Sequence, residues 1–290
     1  MIVTRFAPSP TGLLHIGHAF AALIAFDTAR KAGGRFLLRM EDIDRARCRA
    51  EFEEAVVEDL VWLGLEWERP VRRQSEHFED YSEALEILDE QGLLYPCFCT
   101  RKEIANEIAR AGEAPHLSRQ RLEGLAYPGT CRSLSRAQRQ KRAASGAPYA
   151  LRIDIEKASS IVGPLTFQEG GHGPNRETGY QRVQPKLLGD VVLARKEMPT
   201  SYHLAVVVDD ARQGVTLVTR GADLFHATHI QRLLQGLLDL PEPAYAHHRL
   251  IADPTGQKFS KRNQSITLRA LREKGLSAND IRSRLGLASG

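Results

Sequence analysis

The chain has 290 residues, 42% hydrophobic and 26% charged, with a formal net charge of +4. This composition excludes a disordered, collagen-like or coiled-coil chain and leaves room for one large domain or two modest ones. No apolar run is long enough to span a bilayer, and Met1-Ile2-Val3-Thr4-Arg5 lacks the pattern of a signal peptide, so a cytosolic monomer is expected. The basic excess, carried more by Arg than by Lys, suits a polyanionic partner, and four cysteines in a cytosolic chain argue against a disulfide framework.

In chain order, Ile2 to Phe6 forms a short apolar strand, followed by the turn-rich loop Ala7-Pro8-Ser9-Pro10-Thr11-Gly12. A helix is predicted from about His15 to Lys31, ended by Gly33-Gly34, then a strand from Arg35 to Arg39 and helices over Arg49–Leu63 and Tyr81–Gln91. Cys48 falls within a helical stretch as a packed thiol. This alternation of strand and helix predicts a Rossmann-type, doubly wound parallel α/β sheet. From Leu94 to about Arg142 a polar, Arg-rich stretch bracketed by Cys97, Cys99 and Cys131 reads as an insertion. Strands are predicted again at Tyr149–Ile153, Asp190–Ala194, Ala205–Asp209, Val215–Thr219 and Leu250-Ile251-Ala252, with a helix over Ala227–Leu238. A loop at Asp253–Asn263 and two short helices complete the chain.

The first site motif is Pro8-Ser9-Pro10-Thr11-Gly12-Leu13-Leu14-His15-Ile16-Gly17-His18, placed between the first strand and the first helix. A helix start offers unpaired backbone N–H groups and a favourable dipole to phosphate. The two histidines add donors, and Gly17 lets a flat base approach. The second is Lys258-Phe259-Ser260-Lys261-Arg262. By itself it is an ordinary solvated basic loop; paired with the first motif it becomes a loop suited to charge developing on leaving pyrophosphate.

These stretches resemble the HIGH and KMSKS signatures of class I aminoacyl-tRNA synthetases. Phe259 and Arg262 stand where the family name has Met and Ser, with both lysines retained. Arg5-Phe6-Ala7-Pro8-Ser9-Pro10-Thr11-Gly12 resembles the glutamyl members more than the glutaminyl ones. The similarity continues through Arg39-Met40-Glu41-Asp42-Ile43-Asp44, Tyr202 to Asp210 and Thr219-Arg220-Gly221, and so covers most of the chain.

The resemblance implies glutamate binding by Arg5, Phe6, Ala7, Pro8, Ser9, Glu41, Tyr202 and Arg220, with Glu41 on the substrate ammonium. Arg5 and Arg220 are the natural partners for carboxylate. It implies ATP binding by Pro8, His15, Gly17, His18, Lys258, Ser260 and Lys261, with His15, His18, Lys258 and Lys261 as the catalytic set and Mg²⁺ carried by the nucleotide. Cys97, Cys99, Tyr127 and Cys131 resemble the zinc site of some members, with His116 the chemically more ordinary fourth ligand. The expected organisation is residues 1–94 as the first half of the catalytic domain, 95–200 as an inserted zinc-bearing and acceptor-binding subdomain, 201–262 as the second half, and 263–290 as a short helical tail.

Only Asn263 to Gly290 follows the KFSKR motif, too little for the anticodon-binding region of full-length glutamyl enzymes. The pattern resembles the branch of the family that transfers glutamate to the queuosine base in the anticodon of tRNA(Asp). A shortened glutamyl enzyme charging an ordinary tRNA terminus, another HxGH nucleotidyltransferase and a non-catalytic glutamate- or RNA-binding paralogue are the alternatives. The glycine-rich segment from Gly170 to Gln184 matches no motif.

Overall fold

The structure is a computed structural model that describes residues 1–100, 102–104, 127–195, 198–251 and 266–288. Its first unit is β1 (Val3–Phe6), α1 (Ile16–Lys31), β2 (Arg35–Met40), α2 (Ala50–Trp62), β3 (Glu68–Arg73) and α3 (Phe78–Glu90). Then follow β4 (Leu94–Cys97), α4 (Arg136–Ala144), β5 (Ala150–Ile153), α5 (Ile155–Val162), β6 (Thr166–Glu169), β7 (Gly179–Arg182) and β8 (Val192–Arg195). The last part holds α6 (Tyr202–Arg212), β9 (Leu217–Gly221), α7 (Ala227–Leu237), β10 (Ala244–His248), α8 (Leu268–Glu273) and α9 (Ala278–Leu285).

β1, β2 and β3 pair in parallel, as do β9, β10 and β6, with β7 antiparallel on the outer edge of β6. The two sheets meet where the Thr216 N–H donates to the Val3 carbonyl at 3.0 Å and the Val3 N–H donates to Thr216 Oγ1 at 2.9 Å. β1 and β9 are therefore neighbours from opposite ends of the chain. Strand order turns in opposite directions on either side of them, the arrangement that opens a ligand crevice at the carboxyl ends of the strands. β4, β5 and β8 make a separate antiparallel sheet. β6, although within 95–200, hydrogen-bonds to β10 of the parallel sheet.

Local chemistry explains the first unit. His15 is the N-cap of α1, and Ala19, Phe20, Ala22, Leu23, Ala25 and Ala29 form its buried side. After the helix, a Cβ on Gly34 would lie 2.0 Å from the Ile2 carbonyl oxygen, so the chain can pass so close to β1 only as glycine. One apolar cluster joins α1 and α2 to Leu268, Leu271, Ile281 and Leu285 of the two C-terminal helices. A second gathers α3, α6 and α7 around Tyr81, Leu204 and Ile230.

Three sequence expectations are corrected. Ala205–Asp209 is no strand: it lies in α6, started by Ser201, whose hydroxyl accepts the Leu204 N–H. Leu204 to Asp210 are all buried, and a helix enclosed on every side shows no 3.6-residue polar stripe, so its β-branched run mimics a buried strand. The strand expected at Leu250-Ile251-Ala252 is instead β10, ending at His248; Leu250 and Ile251 lie beyond it, and Ala252 is outside the described residues. Cys48 precedes α2 rather than belonging to a helix. β3, β6 and β7 were not legible, because Glu-Arg-Pro-Val-Arg-Arg and the two four-residue strands lack any apolar alternation.

Asp59 of α2 is buried, with both carboxylate oxygens lacking a hydrogen bond among the described residues and Arg272 Nη1 3.8 Å away. Burial pushes its pKa up to about 6, against the opposing pull of Arg272. The folded chain thus holds the proton more tightly than the unfolded one, and this contribution to stability is lost as pH rises from the ordinary 3.8 to about 6. Asp59→Asn is expected to stabilise the protein by about 1–3 kcal/mol at neutral pH, read as a higher thermal midpoint. The difference from the parent should shrink towards zero below that pH window.

Candidate functional site

A cleft of about 610 Å³ opens at the carboxyl ends of β1 and β2. Of the residues singled out from sequence, Phe6, Ala7, Pro8, Ser9, His18, Glu41 and Tyr202 line it. His15 and Gly17 belong to the same helix start as His18. Arg5 and Arg220 are buried behind the lining, at the base of the crevice between β1 and β9. Lys258, Ser260, Lys261 and the alternative zinc ligand His116 lie outside the described residues.

The two histidines organise the start of α1 themselves. His15 Nδ1 accepts the Gly17 N–H and His18 Nδ1 accepts the His15 N–H, both at 3.1 Å. Their rings stand 3.8 Å apart. With both Nδ1 atoms accepting, each neutral ring carries its proton on Nε2 and can donate there. A Cβ on Gly17 would press on the His15 ring at 3.0 Å, so a larger residue here would crowd the histidine pair. The first turn holds no acidic side chain and the last holds Arg30 and Lys31, so the helix presents its positive end to an anion.

The described chain before and after residues 252–265 packs beside this helix. His15 makes an antiparallel bridge with Thr267, and the Leu268 N–H donates to the Leu14 carbonyl at 2.9 Å. On the other side His248 packs edge-on against Phe20, and the Arg249 guanidinium lies 4.9 Å from the same ring.

The charges beneath the cleft divide into two groups. Arg39, fully buried, donates to Asp210 Oδ1 at 2.7 Å and to Glu41 Oε1 at 3.3 Å, with Asp209 Oδ2 3.6 Å from its Nε. Arg5 forks onto the same Asp210 at 3.0 and 3.3 Å. Burial works against the Asp210 carboxylate, yet Arg5 and Arg39 hold its pKa below the ordinary range. Burial pushes the Glu41 carboxyl upward, only partly opposed by Arg39 and Arg5. Glu41 is thus a carboxylate short of positive charge on the wall of a cleft.

Arg220 is the reverse. Its guanidinium donates to His247 Nε2 at 3.1 Å, Tyr202 Oη at 3.3 Å, Gln231 Oε1 at 2.7 Å and Thr228 Oγ1 at 2.7 Å. None of these is a carboxylate. Beside it Gln231 Nε2 and His203 Nδ1 are buried without a hydrogen-bond partner among the described residues. Burial, aided by Arg220, pushes the His203 pKa down to about 4, so this ring is neutral. A buried cation with neutral partners and unmet polar atoms suits a small anionic, hydrogen-bonding ligand. Thr228, Gln231 and His247 were not singled out as site residues and no motif marks them, while His203 falls within the family-like stretch from Tyr202 to Asp210.

Away from the cleft, the Sγ atoms of Cys97, Cys99 and Cys131 lie within 4.8 Å of one another, at the end of β4. Cys99 and Cys131 are 3.4 Å apart, and Tyr127 Oη is 3.6 Å from Cys99 Sγ. Tetrahedral Zn²⁺ with Zn–S bonds near 2.3 Å places sulfurs about 3.8 Å apart, so the donor set fits the metal. The Phe98 N–H donates to Cys131 Sγ at 3.4 Å, as a thiolate ligand favours. The Arg152 guanidinium lies 4.0 Å from the centre of the Tyr127 ring, while burial pushes the Tyr127 phenol's pKa upward.

Residues 1–287 match the model of the class I tRNA synthetase (E and Q) catalytic domain. The chain is 48% identical to the glutamyl-Q tRNA(Asp) synthetase of Rhodobacter capsulatus, over 99% of its own length and 100% of the relative's. It is 41% identical to the protein of the same name from Nitratidesulfovibrio vulgaris, over 100% and 87%. Among solved structures, a glutamate-tRNA synthetase from Elizabethkingia anophelis superposes with a TM-score of 0.73 at 28% identity, over 90% of this chain and 53% of that one.

On the thiol cluster, protein purified without chelator is expected to carry on the order of one zinc per chain by elemental analysis. Cys131→Ser should lose the metal and lower the thermal midpoint; a metal-free wild-type preparation would refute the site.

Proposed function

The chain belongs to the class I tRNA synthetases (E and Q) and is an enzyme of the ligase type, and on that premise we propose that it activates L-glutamate with ATP and transfers it to the queuosine base in the anticodon of tRNA(Asp). The observation that carries the glutamate assignment is Arg220, a buried cation with no carboxylate partner among the described residues, joined through Tyr202 to a cleft whose wall holds the charge-deficient Glu41. Glutamate supplies a carboxylate for the first and an ammonium for the second. Arg5, already forked onto Asp210, shapes the base of the pocket rather than serving as the main anion receptor.

The reaction needs positioning and charge stabilisation more than proton transfer. Glutamate's α-carboxylate oxygen attacks the α-phosphorus of ATP, the bond to the bridging oxygen breaks, and pyrophosphate leaves with its electron pair. The Nε2–H groups of His15 and His18 and the positive end of α1 face the phosphates. Lys258, Ser260 and Lys261 complete the charge around the leaving group. Mg²⁺ accompanies the nucleotide, held by phosphates and water. In the second step a hydroxyl of the queuosine cyclopentene ring attacks the acyl carbon, and AMP leaves. Cys97, Cys99, Tyr127 and Cys131 would hold Zn²⁺ in a structural role, cross-linking the end of β4 to the chain that returns through Tyr127.

The acceptor assignment rests on the relatives' names together with the mild basic charge. The alternative acceptor is an ordinary tRNA terminus.

Labelled glutamate, with ATP and Mg²⁺, is expected to pass to tRNA(Asp) containing queuosine and not to matched tRNA(Asp) with guanosine at that position. Label on neither pool, with glutamate-dependent exchange of pyrophosphate into ATP intact, would refute the acceptor and keep the adenylate chemistry. Arg220→Gln should raise the KM for glutamate in that exchange by about 10-fold or more while the KM for ATP changes little.

A further inference from the structure

Glu169 ends β6 and His247 lies in β10; both side chains are fully buried and neither borders the cleft. Glu169 Oε2 meets His247 Nδ1 at 2.5 Å, and Oε1 accepts the backbone N–H groups of His247 and Gly171, each at 2.8 Å. An imidazole that donates from Nδ1 to a carboxylate presents a lone pair at Nε2, and Nε2 accepts the Arg220 Nε–H at 3.1 Å. Since the guanidinium has donors only, no other tautomer of a neutral His247 fits between these two partners.

We propose that Glu169 and His247 are positioning residues for Arg220, a counter-ion set one imidazole ring away from the cation it serves. This rests on the assignment of Arg220 as the receptor of a glutamate carboxylate. A carboxylate placed directly on Arg220, as Asp210 is on Arg5, would occupy the guanidinium fork and compete with the substrate's own carboxylate. With no counter-charge at all, the buried cation would be uncompensated in the absence of ligand. The intervening imidazole avoids both: it fixes the Nε edge and leaves the Nη1 edge turned to Tyr202 and Gln231, where the unmet Gln231 Nε2 lies.

The same arrangement gives a purpose to the glycine-rich segment that sequence left without one. A Cβ on Gly171 would fall 2.2 Å from the His247 carbonyl oxygen and 2.7 Å from its nitrogen. The Gly170 N–H donates to the Tyr245 carbonyl at 2.7 Å and the His172 N–H to the His247 carbonyl at 2.9 Å. The chain after β6 thus lies against β10 closely enough to close around the Glu169 carboxylate, and only glycine permits that approach.

In the wild-type protein, ¹⁵N NMR should find His247 neutral with its proton on Nδ1 at neutral pH; an Nε2–H tautomer or an imidazolium overturns the proposal, whatever the behaviour of any variant. In glutamate-dependent pyrophosphate exchange, His247→Leu should raise the glutamate KM by about 10-fold or more with the ATP KM little changed. His247→Gln, which keeps an acceptor for Arg220, should recover most of that loss. The double change with Arg220→Gln should add little to Arg220→Gln alone. An unchanged glutamate KM in His247→Leu, where Arg220→Gln raises it, overturns the dyad's role and leaves the glutamate pocket standing. An unchanged KM in Arg220→Gln itself removes the pocket assignment and this inference with it.

Discussion

Arg39 is the constraint on which the rest of the structure depends. It sits on β2 with no exposed surface and holds Asp209 and Asp210 of α6 together with Glu41 on its own strand's end. Removing one partner from such an enclosed group costs about 3–5 kcal/mol, because the remaining charges have no water to turn to. The network extends outward in both directions. Asp210 holds Arg5, while Asp209 accepts from Arg72 and Gln74 and from the Tyr81 hydroxyl. β1, β2, β3 and α3 are thereby tied to an element more than a hundred residues later, and the halves of the chain are aligned across the crevice between β1 and β9.

That alignment decides which charges are spent on the fold and which are left for chemistry. Arg5 and Arg39 are both consumed by Asp210, so they stiffen the pocket. Among the described residues Arg220 donates to neutral groups, and Glu41 has less positive charge around it than its burial demands. The pocket thus offers a receptor for negative charge and one for positive charge on its two sides. A zwitterion with an additional carboxylate is the ligand class that completes it, and the capped start of α1 offers phosphate donors on the same cleft.

The thiol cluster shows the same economy at another place. Cys97 ends a strand, whereas Cys131 and Tyr127 belong to a turn that touches the protein elsewhere through the bridge of Tyr127 to Gly189. Among the described residues, Tyr95, Phe98, Ile104 and Leu134 supply the apolar packing around the cluster.

The sequence by itself determined the elements whose signal is local: the β1–loop–α1 unit, the strand at Arg35, the helices at Ala50, Phe78 and Ala227, and the His15–His18 motif at a helix start. It also brought together by resemblance Ser9, Glu41 and Tyr202, which line one cleft, and the Cys and Tyr set, which forms one cluster. The local elements depend on spacing within a few residues, which a chain displays before it folds; the distant site residues were joined by the resemblance. Only the tertiary structure decided that the Val-rich run of α6 is a helix, because burial on all sides erases the amphipathic period. It alone decided that Arg5 is matched and Arg220 is not, since their partners lie as far as 205 residues away in Asp210 and on the neighbouring α7 and β10. The Glu169–His247 pair, 78 residues apart, belongs to the same category: no motif links them, and only the parallel pairing of β6 with β10 makes them one group.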